Sequence, residues 1–154
     1  MRLQAVARRG IAAPGVCGSR GCSWFESFRL GERTRTMNNL PNDNCPVLPH
    51  HRLRVYGIAV EMLVCVRDAG IRDAKLRDEA LRAAKGACLN VAEGAARVTR
   101  ADKARAFTIA RGETVEACAA VEIAALLGDA RDADAQRVAV LADRNVAMLT
   151  RLIR

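Results

Sequence analysis

Between residues 53 and 154, apolar positions recur every three or four places, and glycines punctuate the pattern. The segment LRVYGIAVEMLVCVRDAG puts Leu53, Tyr56, Ala59, Val60, Leu63 and Val66 on one side of a helix. Gly70 comes next, where helices often end on a residue of positive φ. The segment AKLRDEALRAAKGACLNVAEG repeats the pattern with Leu76, Ala80, Ala83, Ala84, Ala87 and Val91, and Gly94 is expected to end it the same way. Thr99 opens a third helix. With Asp102 three residues on, it can cap the free N–H groups of a first turn. The apolar row then runs through Phe107, Ala110, Thr114, Ala117, Val121 and Ala124 to Gly128. The acidic stretch DARDAD suits the positive N-terminus of a fourth helix, which continues through Val138, Ala142, Val146, Leu149 and Leu152. Four helices with short connections predict an all-α fold, an antiparallel up-and-down four-helix bundle over residues 49–154.

Residues 1–48 lack this periodicity. Glycine, serine, proline and arginine alternate in RRGIAAPGVCGSRGCSW, and Pro41, Pro46 and Pro49 interrupt the chain on the way to the first helix. Three readings compete: an Arg-rich targeting peptide, a disordered basic arm, or a stretch outside the natural product, with translation starting at Met37. The third is the expectation, because the helical pattern begins soon after Met37.

Composition narrows the class. Hydrophobic residues make up 51% of the 154 and aromatics only 3%, so the core is built mostly of Ala, Leu and Val. That balance favours closely packed helices. No uninterrupted apolar run approaches the ~20 residues of a membrane span. The net charge of +8 is uneven: seven arginines against two acids in residues 1–36 carry most of it. Cys65, Cys88 and Cys118 fall in helical patterns, where a free thiol behaves as a small apolar side chain. A reduced, cytoplasmic setting fits better than a disulfide framework.

Candidate chemistry is sparse. In ACLNVAEGAARVTR, Asn90 falls beside the predicted seam of the second helix and Glu93 one turn later. Glu93 has a plausible partner in Arg111 on the neighbouring helix. The structural reading makes this corner a polar plug, an ion pair and a glycine stop. The catalytic reading makes Glu93 a general base, but it comes with no nucleophile or metal ligands at useful spacing. Cys17 and Cys22, with Cys45, His50 and His51 downstream, sketch a zinc set on a segment with no framework to fix its geometry, so no metal and no cofactor is expected. Arg97, Arg100, Lys103 and Arg105 cluster around the second loop against one acid, Asp102. They make either a solvated helix start or a patch for RNA phosphates, since no aromatic accompanies them for base stacking.

The order NVAEG, a short basic loop, then ARGETVEA resembles the four-helix bundle proteins encoded in intervening sequences of bacterial large-subunit ribosomal RNA genes. Asn90, Val91, Ala92, Glu93 and Gly94 match that family's N-(I/V)-A-E-G, and Ala110, Gly112 and Glu116 match its A-x-G-S-x-x-E. Glu113 replaces the serine of the second motif. Gly86 and Cys88 replace a serine and a proline often seen before the asparagine. The resemblance covers roughly residues 51–154 and implies a homopentamer of bundles without an assigned molecular role. A related branch comprises accessory proteins of diversity-generating retroelements, which implies structured RNA or a reverse transcriptase as partner. The resulting expectation is a non-enzymatic, oligomeric scaffold or RNA- or protein-binding accessory. The alternative is an enzyme using the Asn90–Glu93–Arg111 corner.

Overall fold

The computed structural model describes residues 48–154. A short 3-10 turn, Pro49–Arg52, leads into four helices: α1 (Arg54–Asp68), α2 (Ala74–Ala96), α3 (Arg100–Leu126) and α4 (Asp132–Ile153). Each packs on its neighbours in sequence, and α4 closes the ring against α1, leaving only slight contact across the α1–α3 diagonal. This is the up-and-down bundle that the apolar spacing predicts. The predicted basic arm, Met37 and the cysteines at 17, 22 and 45 lie outside the described residues.

The helix ends follow local chemistry. Asp73 accepts a hydrogen bond from the Leu76 N–H at 2.7 Å and caps α2. Thr99 Oγ1 accepts from the Asp102 N–H at 3.1 Å and donates to the Asp102 carboxylate at 2.6 Å, so the expected cap on α3 forms. Gly70 (φ 58°) and Gly128 (φ 78°) adopt the left-handed conformation that ends α1 and α3. Gly94 does not, which corrects the expected stop. It sits inside α2, which runs on to Ala96 and ends at Arg97 in extended conformation. Gly94 is there for contact: a Cβ in its place would come within 2.5 Å of the Phe107 ring.

The core is made largely of alanine. Ala59, Ala80, Ala83, Ala84, Ala87, Ala110, Ala117 and Ala124 are fully buried, so the helix backbones approach closely. One cluster around Met62, Val66, Ile71, Val121 and Val138 fills the end of the bundle near the first and third loops. A smaller cluster of Val55, Val91, Phe107, Ala110 and Leu149 fills the other end. Between them lies a buried polar bridge. Asn145 donates to Thr114 Oγ1 at 2.9 Å, and Thr114 donates to the Ala110 carbonyl at 2.8 Å. The expected rows on α2 and α3 hold, with Leu76 only half-buried. On α1 the buried row shifts to Val55, Ala59, Met62 and Val66, leaving Tyr56, Val60 and Leu63 half-buried. On α4, Leu152 is exposed. No helix among the described residues is long and apolar enough to cross a membrane.

Candidate nucleic-acid interface

The alternating helix directions bring four chain segments to one end of the bundle: the turn before α1, the end of α2, the start of α3 and the end of α4. An open groove of about 390 Å³ at this end is lined by residues from all four, among them Pro49, Leu53, Gly94, Arg100, Lys103 and Leu152. Arg100 donates to the main-chain oxygen of Arg154, tying the start of α3 to the end of α4.

These segments supply Arg52, Arg54, Arg97, Arg100, Lys103, Arg105, Arg151 and Arg154. All are exposed except Lys103, which is half-buried in the groove wall. Only Glu93 and Asp102 oppose them, so this end carries a net +6. Residues 48–154 as a whole hold 18 basic and 14 acidic side chains, a net +4. The rest of the domain is therefore slightly acidic, and its positive charge is concentrated at one end. Helix dipoles add little, because two N-termini and two C-termini meet here and offset one another. The field comes from the side chains.

Some of that charge is neutralised locally. Arg97 pairs with Glu93 one turn back, which raises the guanidinium pKa through that hydrogen bond and charge. Arg52, Arg54, Arg105 and Arg151 form no ion pair among the described residues. His50 stacks edge-on against Tyr56, with ring centroids 4.6 Å apart, and lies 4.2 Å from the His51 ring. Burial, and secondarily the charge of His51, push its pKa below the usual 6.5, so His50 adds no charge at neutral pH. Phe107, on the groove floor, is only 4% exposed and offers no face for a base.

The corner expected from Asn90, Glu93 and Arg111 is not assembled. Asn90 is half-buried and donates to the Gly86 carbonyl of its own helix at 2.9 Å, so it is no plug at the loop. Glu93 is held by Arg97 rather than Arg111. Arg111 is exposed and lies about 160° around α3 from Glu113, the residue that faces α2. Gly112 is exposed, with nothing within 4 Å of the place a Cβ would occupy. Glu116 pairs across to Arg82 of α2, which also holds Glu79 at 2.7 Å and lies 3.9 Å from Glu113. Hydrogen bonding with Arg82 lowers the Glu79 pKa, while sharing with Glu79 raises that of Glu116.

Two replacements evident in the sequence meet here. Glu113 lies so close to Gly86 that a Cβ there would stand 2.8 Å from Glu113 Oε2. The larger side chain on α3 thus occupies space that a missing side chain on α2 leaves open. Among the described residues, no group of three or more His, Cys, Asp or Glu side chains is placed to hold a metal.

Of the eight cations, the four between 97 and 105 are legible as a sequence cluster. The other four come from segments far apart in sequence, and only the bundle topology collects them.

The sequence model of a family described as 23S rRNA-intervening sequence protein matches residues 55–151, from the first turn of α1 to the last turn of α4. No curated protein matches the chain.

Proposed function

Because the chain belongs to the family of 23S rRNA-intervening sequence proteins, we propose that it is a cytoplasmic, non-enzymatic, self-associating accessory protein whose basic end contacts structured RNA. The observation that carries this reading is the gathering of eight cations against two acids on one end of a domain that is otherwise slightly acidic. Contact is with phosphates and backbone shape, since the guanidinium groups stand on short loops and helix ends and the Phe107 ring beneath them is buried. Such binding is nearly independent of sequence and weakens steeply with salt. Self-association is the second half of the proposal, in the ring of five copies that the resemblance implies. No observation favours the Asn90–Glu93–Arg111 corner as an active site, because its three side chains are not brought together.

The test holds net charge constant and moves the lesion. One full-length variant replaces Arg52, Arg97, Arg100 and Arg151 with Ala. The other replaces four exposed cations elsewhere, Lys75, Lys85, Arg137 and Arg144. Residues 1–36 are common to both, so their charge cancels from the comparison. The proposal expects the first variant to lose at least tenfold more affinity for a structured RNA than the second. Equal losses would show that only total charge matters and would sink the assignment of the basic end.

A further inference from the structure

The groove at the basic end is apolar where its rim is charged. Pro49 and Leu53 come from the turn before α1, Ala95 from the end of α2, Val98 from the loop that follows and Leu152 from α4. Val98 is 92% exposed and Leu152 40%. Singly, an exposed aliphatic side chain is ordinary. Here separate chain segments bring theirs to one concavity of about 390 Å³, within the ~300–1,000 Å³ range of ligand sites. The cations are set among them. Arg100 and Lys103 line the groove themselves. Arg52 precedes Leu53, Arg97 precedes Val98 and Arg151 precedes Leu152, so an arginine adjoins each aliphatic wall in sequence. Both acids of this end are engaged, Glu93 with Arg97 and Asp102 with the Thr99 hydroxyl.

This mixture selects the occupant. RNA phosphates suit the rim but not the walls, because a phosphate set against aliphatic side chains loses water and finds no hydrogen bond there. A nucleobase stacks on a flat partner, and the Phe107 ring is only 4% exposed. Residues 1–36 of this chain hold seven arginines against two acids, the wrong sign for this end. Two copies meeting end to end would set like charge on like. A segment that carries aliphatic side chains between carboxylates fits both the walls and the rim.

We propose that the groove docks a short acidic segment of a partner protein. Its aliphatic side chains seat between Leu53, Val98 and Leu152, and its carboxylates pair with Arg52, Arg100, Lys103 and Arg151. The apolar contact anchors the segment, while the charges at the rim orient it and speed encounter. The same cations make the RNA contact of the proposed function, so segment and RNA exclude each other. That exclusion rests on the RNA reading; the docking does not.

Two labelled synthetic peptides serve as probes. They are the same run of Asp and Glu, except that one has two leucines at its centre and the other two serines. Binding to the full chain is followed by fluorescence anisotropy. Residues 1–36 attract both peptides alike, so the ratio of the two affinities isolates the groove. The leucine peptide should bind at least tenfold tighter. In the Val98→Ser, Leu152→Ser double variant that ratio should fall to near one, while the serine peptide binds as before. Both positions are exposed, and circular dichroism checks that the variant is folded. Equal binding of the two peptides to the unaltered chain would mean that this end recognises charge alone, and the proposal would fall. A ratio that persists in the double variant would put the apolar contact elsewhere, with the same consequence. Should the ratio be near one while the double variant loses affinity only for RNA with an unpaired nucleotide, the groove seats a base instead of a peptide side chain. In competition, the leucine peptide should release a labelled structured RNA at lower concentration than the serine peptide does. Leucine peptide and RNA bound together would overturn the exclusion. A full chain that binds no RNA would sink the RNA reading and leave the peptide result standing.

Discussion

Replacing Gly94 with Ala tests the packing account at its tightest point. The added Cβ would stand 2.5 Å from Phe107 Cε1, 2.7 Å from Cδ1 and 3.0 Å from Cζ. Ordinary carbon contacts are about 3.5–4.0 Å, so the ring must retreat by roughly 1 Å. It has little room to do so, being 4% exposed and packed with Val55, Val91, Ala110 and Leu149. Overpacking of this kind costs about 1–3 kcal/mol. Against it, Ala in place of Gly inside a helix gains about 0.5–1 kcal/mol. We expect a net loss of about 1–2 kcal/mol, or roughly 5–10 °C in Tm for a domain of this size. The assay is urea unfolding followed by circular dichroism, at one protein concentration for all variants, since assembly shifts apparent stability. Phe107→Leu in the Gly94→Ala background should cost at least ~1 kcal/mol less than Phe107→Leu alone, because the smaller side chain relieves the clash. Gly86→Ala is the internal contrast. There the Cβ meets the carboxylate of Glu113, a flexible side chain whose buried Oε2 accepts no hydrogen bond and lies 3.9 Å from Arg82, and displacing it toward water costs little. Gly86→Ala should therefore be neutral or stabilising. A stabilised Gly94→Ala protein with additive Phe107→Leu would refute the reasoning.

Other expectations come from the same contacts. Asn145→Ala removes the side chain that joins α4 to Thr114 in the core and should cost about 1–3 kcal/mol, whereas Asn90→Ala, half-buried and bonded only within its own helix, should cost under ~1 kcal/mol by the same unfolding measurement. Cys88 is 7% exposed and burial pushes its thiol up to about 11, so alkylation at pH 8 should be slow in the native protein and fast after unfolding; fast native labelling would contradict its burial. Burial also lifts the Cys118 thiol to about 11. The stability contributed by keeping these two thiols protonated should be intact below pH ~9 and decline as pH rises toward 11, because the unfolded thiols ionise first. Cys88→Ala should flatten part of that decline.

The parts of the fold set by local chemistry are legible in the sequence. All six positions of the expected α3 row are buried, and Thr99, Gly70 and Gly128 bound helices as their types suggest. Gly94 departs from expectation because a glycine that ends a helix and one that admits an aromatic neighbour look alike in a single sequence. Which of the two applies depends on Phe107, delivered from the next helix. Arg111 does lie on the helix beside Glu93, but its phase around that helix turns it away from α2. Asn145 carries a usable signal: with Val138, Ala142 and Leu149 it occupies the buried row of α4, and a polar residue in such a row needs a partner. The basic end is half visible, as the cluster at 97–105; the up-and-down topology adds the cations at 52, 54, 151 and 154.

The central claim, that this end holds RNA phosphates, is tested most directly by the salt dependence of binding. Affinity of the full chain for a structured RNA is measured from low to moderate salt and plotted as log K against log salt. For duplex-like backbone, each phosphate neutralised contributes about 0.9 to the slope. Replacing Arg52, Arg97, Arg100 and Arg151 with Ala should make the slope shallower by about 3, whereas the charge-matched replacement of Lys75, Lys85, Arg137 and Arg144 should leave it nearly unchanged. A slope that stays the same in the first variant, or falls equally in both, would contradict the account.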